Sequence, residues 1–132
     1  MKRECLNCSS PEKARGSRNV RIALGGLAAT VRAVDGWHCP ACGEIEFAAG
    51  EGERYAEAWT ALRKCVQERD ATLLARVRKK LKLTQQQASK LTCGGKNALS
   101  RYERGQAKPM PAVVNPFRLL GRHPDLHAEL RD

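Results

Sequence analysis

Two Cys-x-x-Cys pairs, Cys5-Leu6-Asn7-Cys8 and Cys39-Pro40-Ala41-Cys42, constrain this chain more than any other feature. Four thiolates in two short knuckles make a closed tetrahedral ligand set for structural zinc. Thirty residues, Ser9 to His38, separate the pairs, enough for a small β-sheet between the knuckles. A module of this size buries little apolar surface unaided, so one Zn2+ held by Cys5, Cys8, Cys39 and Cys42 supplies part of its folding free energy.

Cysteine usage and charge narrow the rest. No apolar run approaches the roughly 20 residues of a membrane span, and no signal-peptide core follows Met1. Paired Cys-x-x-Cys motifs without a leader favour metal and a reducing cytoplasm over disulfides. Cys65 and Cys93 are left over and read as small buried apolar side chains. Residues 1–66 hold ten Lys/Arg and eight Asp/Glu, whereas residues 67–132 hold fourteen and six. The basic excess, and with it polyanion binding, belongs to the second half.

The pattern predicts an α+β chain: a small zinc-ribbon-like β-sheet domain over residues 1–50, a helical connector over 51–70 and an all-α five-helix domain over 71–132. In the first part, Asn19–Leu24 alternates polar and apolar residues, Gly25-Gly26 reads as a turn and 27–34 as the returning strand. Asp35-Gly36 reads as a second turn. Gly43 follows the second pair, where a knuckle needs positive φ, and Glu44-Ile45-Glu46-Phe47 alternates once more. His38 is expected to face solvent from a strand rather than bind metal.

Tyr55, Trp59, Leu62 and Val66 recur on one face of a helix over 51–69, a packing stripe rather than a ligand box. Asp70-Ala71-Thr72 reads as a hinge, about which the zinc module moves. Leu73, Leu74, Val77 and Leu81 mark the next helix, whose other positions carry Arg76, Arg78, Lys79, Lys80 and Lys82. Thr84 with Gln87 forms a capping box that starts a helix at Gln85 and carries it to about Leu91. Thr92-Cys93-Gly94-Gly95 is a turn. A helix over 96–104 ends at Gly105, a typical C′ residue. A fourth helix spans 111–121, with Pro116 expected to kink it or delay its start. His123-Pro124 opens a last short one.

Two short helices joined by a glycine turn, the second carrying Asn and Arg, are the parts of a helix-turn-helix. Asn97 and Arg101 stand four residues apart and project from one helix face. Asn pairs bidentately with adenine and Arg with guanine. Lys96 and Ser100 flank them, within reach of base edges or phosphates. Leu99 and Tyr102 fall on the opposite side as anchors. The basic positions of the preceding helix, Arg78 and Lys80 among them, are expected on phosphates.

The segments Val77-Arg78-Lys79-Lys80-Leu81-Lys82-Leu83-Thr84-Gln85 and Gly94-Gly95-Lys96-Asn97-Ala98-Leu99-Ser100-Arg101-Tyr102-Glu103-Arg104-Gly105, with the ending Leu119-Leu120-Gly121-Arg122-His123-Pro124-Asp125-Leu126, closely resemble MqsA-type antitoxins. The helical half taken alone is similar to the wider Xre/Cro-like repressors. The four cysteines ahead of it make the resemblance specific and extend it over nearly the whole chain. It implies structural zinc, a first domain that binds a cognate toxin (a small mRNA-cleaving ribonuclease), and a second that forms a homodimer on a palindromic operator. Base reading then falls on Asn97 and Arg101.

The expected function is therefore that of a cytoplasmic antitoxin and autorepressor. A stand-alone helix-turn-helix regulator, whose zinc domain binds another protein or a ligand, is the alternative. An enzyme is not expected. Four thiolates leave zinc no open position, His123 and His127 lack the acidic partner of a zinc hydrolase, and neither a nucleophile–base set nor a phosphate loop is present.

Overall fold

The computed structural model describes residues 1–92 and 94–130, so the expectations for Cys93 lie outside the described residues. The chain divides into two compact units, residues 1–64 and 65–132.

The first unit is built on a four-stranded antiparallel sheet in the order β1-β2-β3-β4 (β1 Lys2–Arg3, β2 Lys13–Leu24, β3 Leu27–His38, β4 Ile45–Phe47). β2 and β3 form a long hairpin whose register runs from Leu24↔Leu27 at the turn to Ala14↔His38 at the knuckles. Gly25 and Gly26 both take positive φ at the tip, as the turn requires. The register shifts between Arg18 and Val20. There Ala33 adopts φ 51°, and its N–H donates to the Asn19 side chain at 2.9 Å. This bulge brings Val34 onto the buried face. Ile22, Val31 and Val34 pack with Leu62, and Tyr55, Ala58 and Trp59 complete this core. The aromatic stripe is internal packing, as its periodicity indicates.

Three readings of this half need correction. Asp35-Gly36 is not a turn but part of β3, near its C-terminal end, where Gly36 pairs with both Gly16 and Phe47. A Cβ on Gly36 would overlap the Glu46 carbonyl oxygen, so glycine is retained for close strand approach rather than for chain reversal. His38 is buried rather than solvent-facing, and its Nε2 lies 2.9 Å from the Val34 carbonyl oxygen. Cys65 is exposed, because it lies beside the apolar stripe of its helix rather than on it.

One helix, α1 (Glu51–Lys80), replaces the two expected over this stretch. The boundary between the units falls inside it. Asp70-Ala71-Thr72 does not interrupt it. Asp70 is buried and accepts from Arg69, and Thr72 returns its hydroxyl to the Glu68 carbonyl, so both polar side chains are satisfied without leaving the helix.

The second unit packs the end of α1 with α2 (Gln85–Leu91), α3 (Ala98–Glu103) and α4 (Pro111–Arg122), followed by a 3₁₀ helix, Pro124–Glu129. Leu74, Val77, Ala88, Leu99, Val113, Phe117 and Leu120 form its core. Thr84 caps α2 reciprocally with Gln87, as the sequence indicates. α3 closes in a Schellman arrangement: Gly105 (φ 71°) donates to Tyr102 O at 3.1 Å and Gln106 to Arg101 O at 2.9 Å. Pro111 starts α4, and Pro116 does not delay it.

Candidate functional site

The four cysteines come together at the knuckle end of the sheet. All four Sγ atoms lie within 4.8 Å of one another. Cys5 and Cys42 approach to 3.7 Å, and Cys8 and Cys39 to 3.6 Å. Four sulfurs about 2.3 Å from one tetrahedral ion would be about 3.8 Å apart. The donor set and its spacing therefore fit a thiolate-bound zinc ion, and these residues can hold a metal.

Each knuckle is built by the same hydrogen bonds. Cys5 N–H donates to Ser10 O (2.8 Å) and Ser9 N–H to Cys5 O (2.7 Å). Cys39 N–H likewise donates to Glu44 O (3.0 Å) and Gly43 N–H to Cys39 O (3.0 Å). The residue after each pair is left-handed, Gly43 at φ 78° as expected and Ser9 at φ 59°. Sequence reasoning passed over Ser9 because a serine carries no signal for that conformation.

The sulfurs do not share one protonation tendency. The Asn7 side chain, then the Glu44 backbone, hold the Cys42 thiol down to about 6. Backbone N–H groups of Cys42 and Ala41 lower Cys39. At Cys8 the Ser10 backbone favours the thiolate, yet desolvation and the crowding of Cys42, Cys39 and Cys5 push the thiol up to about 12. Four negative sulfurs this close repel one another, and a divalent cation at their centre removes that conflict.

Beside the knuckles, Lys13 is only 1% exposed and pairs with Glu46 at 2.9 Å. Arg3 reaches the same carboxylate, and its guanidinium lies 4.0 Å from the Trp37 ring centroid. The Lys13 and Arg3 side chains hold the Glu46 carboxyl below its ordinary range. One carboxylate thus ties β1 and β2 to β4, a set of contacts the sequence pattern does not display.

In the second unit, Lys96, Asn97 and Arg101 are exposed, and Ser100 is half-buried. Leu99 is fully buried and Tyr102 packs against the same core, so α3 is anchored on one side as expected. Asn97 is the N-cap residue of α3, but its side chain makes no capping hydrogen bond. Its carboxamide and the Arg101 guanidinium face solvent four residues apart, a spacing suited to neighbouring base edges.

Arg78 and Lys80 are placed differently from one another. Lys80 is exposed, with Nζ 2.9 Å from the Gly121 carbonyl oxygen. Arg78 is turned inward. Its Nε and Nη2 donate to Glu103 (2.6 and 3.2 Å), and its Nη1 donates to Leu83 O (3.0 Å). Gln85 Nε2 adds a third donor to Glu103 at 2.8 Å. Arg78 therefore braces α3 against α1 and α2, a different use from the phosphate contact expected of it. Desolvation opposes ionisation of Glu103, but Arg78 and Gln85 outweigh it and hold the carboxyl below its ordinary range.

Residues 1–131 match the family model described as the antitoxin component of bacterial toxin-antitoxin system, MqsA. The chain is also 32% identical over 130 residues to Antitoxin MqsA of Escherichia coli (strain K12), an alignment covering 97% of this chain and 99% of that protein.

Proposed function

From the premise that this chain belongs to the MqsA antitoxin family, which is not a class of enzymes, we propose that it neutralises a cognate toxin through its first unit and represses its own operon through its second. The observation that carries the reading is the family match, which runs through both the cysteine cluster and the basic helices. The toxin is a small mRNA-cleaving ribonuclease. It docks on the sheet that zinc holds together through Cys5, Cys8, Cys39 and Cys42. Zinc is structural here. With four thiolates it has no open position, and the ion supplies folding free energy rather than chemistry.

In the second unit, α2 and α3 act as a helix-turn-helix, with α3 in the major groove of double-stranded DNA. Asn97 and Arg101 read bases, with Lys96 and Ser100 beside them. Lys80 meets phosphate, and Arg78 fixes the angle of α3 instead of touching DNA. A homodimer formed by the second unit presents two such helices about one helical turn apart, so the operator is palindromic. No helix among the described residues is long and apolar enough to cross a membrane, which is compatible with work in the cytoplasm.

The test pairs two assays. Co-expression with the protein encoded next to it should relieve that protein's toxicity, and Cys39→Ser should abolish the relief. Gel shifts on the native upstream duplex should show a band that unlabelled scrambled duplex does not displace. Failure of both assays rejects the reading.

A further inference from the structure

α1 and α3 end in the same backbone motif with different residues at its turning point. At the end of α3 the left-handed residue is Gly105, and at the end of α1 it is Lys82, with φ 59°. The Lys82 N–H donates to Lys79 O at 3.0 Å and the Leu83 N–H to Arg78 O at 3.1 Å, the two bonds of a Schellman close. In that conformation an L-residue brings its Cβ against a neighbouring carbonyl, and glycine does not. Packing gives no reason for the lysine. Leu81 and Leu83 on either side pack against the core, whereas Lys82 is exposed. Helix-end electrostatics add little, since Arg78, Lys79 and Lys80 already occupy the last turn of α1. No Asp or Glu stands between Asp70 and Glu103, and Glu103 is held by Arg78 and Gln85.

The loop that carries Lys82 is fixed to α3. Arg78 donates from Nη1 to Leu83 O at 3.0 Å while its Nε holds Glu103 at 2.6 Å. Thr84 then caps α2, whose first residue, Gln85, reaches the same carboxylate. A cation at position 82 therefore sits one residue from a carbonyl clamped to the last turn of α3.

We propose that Lys82 is a phosphate contact on duplex DNA, held by its left-handed turn at a fixed offset from α3. This deepens the proposed function and rests on α3 lying in the major groove. Phosphate contacts fix where a protein sits on the duplex and carry no sequence information, so Lys82 adds affinity without adding base preference. Its backbone strain is the counterpart of placing a charge where the fold favours glycine.

The experiment uses the full-length zinc-loaded chain and its Lys82→Gly, Lys82→Asn and Lys82→Arg forms. Thermal melting is followed through NMR signals of the second unit. Binding is titrated at several salt concentrations on the native upstream duplex and on a scrambled duplex of equal length. Lys82→Gly should melt about 3 °C above the parent, yet bind both duplexes more weakly. Its salt slope should be shallower by about one per bound chain, so that the deficit grows about threefold per chain between ~200 and ~50 mM salt. The ratio of native to scrambled binding should not change. Lys82→Asn, uncharged but tolerant of left-handed backbone, should show the same shallower slope. Lys82→Arg should keep the slope of the parent. A parent-like slope in Lys82→Gly and Lys82→Asn overturns the proposal, as does a shallower slope in Lys82→Arg. A lower melting temperature in Lys82→Gly also overturns it, because the lysine would then serve the fold. A parent that binds neither duplex removes the operator reading itself, and this proposal with it. A parent that binds both duplexes alike removes base reading alone, and the slopes still decide the role of Lys82.

Discussion

Arg78 and Glu103 stand 25 residues apart in sequence and meet at 2.6 Å, through a two-pronged pair that joins the last turns of α1 to the last turn of α3. Both side chains are largely but not fully buried, so each charge keeps only part of its hydration. Removing the arginine strands a desolvated carboxylate beside the Gln85 amide.

Arg78→Ala should therefore destabilise the second unit by about 2–3 kcal/mol, read from urea unfolding monitored by signals of residues 65–130. Its pH dependence has a definite sign. The Glu103 carboxyl is lowered on folding, so the pair's contribution is present above the unfolded carboxylate value of about 4.3. It is lost as pH falls through the lower folded value. The difference between parent and variant should shrink below about pH 4. A difference that grows on acidification contradicts the assignment.

Metal removal should act on one unit. The parent should hold one zinc per chain, and serine at Cys5, Cys8, Cys39 or Cys42 should lower that content. Chelator should collapse the NMR dispersion of residues 1–64 and leave the core of Leu74, Val77 and Phe117 folded, since that core does not include the cysteines. Metal analysis and NMR spectra check both.

Glu46→Ala should harm the first unit more than Lys13→Met. The first change leaves a buried ammonium without its carboxylate, whereas the second removes the buried charge and keeps an apolar stem in its place. Thermal melting of the zinc-loaded protein gives the order. The reverse order would mean that Lys13 serves the site by more than its pairing.

Arg101→Ala should cost about 1–3 kcal/mol of operator binding and relax preference at one base pair. Lys80→Ala should weaken all duplexes alike and reduce the salt slope by about one. Arg78→Ala should leave the salt slope unchanged apart from lost folding, because its guanidinium faces Glu103 rather than solvent. Titrations at several salt concentrations separate the three.

Local signals carried far in the sequence. The Cys-x-x-Cys spacing, the Thr84–Gln87 box and Gly105 each act within a few residues, and each stands where the pattern puts it. The outward placement of Cys65 was also readable, since position 65 lies off the 55, 59, 62, 66 stripe. So was burial of His38, which shares its strand face with Val34 and Gly36. What the pattern hides is distant pairing. Asp35-Gly36 has the composition of a turn, and only the arrival of β4 shows why the glycine is there. Asp70 and Thr72 resemble a break because their polar side chains compete with the backbone, a competition resolved by Arg69 and the Glu68 carbonyl. The partner of Arg78 lies two helices ahead, beyond any local periodicity.

The two knuckles lie at the open end of one long hairpin, with Ala14 opposite His38. A slip of two residues between β2 and β3 would carry Cys39 about 7 Å along the strand, more than the 4.8 Å within which all four sulfurs now sit. Smaller slips would turn Ile22 and Val31 outward. An ion held by these four sulfurs would thus serve as a gauge of alignment: a misthreaded ribbon could not close around it, and only the correctly zipped one would be locked.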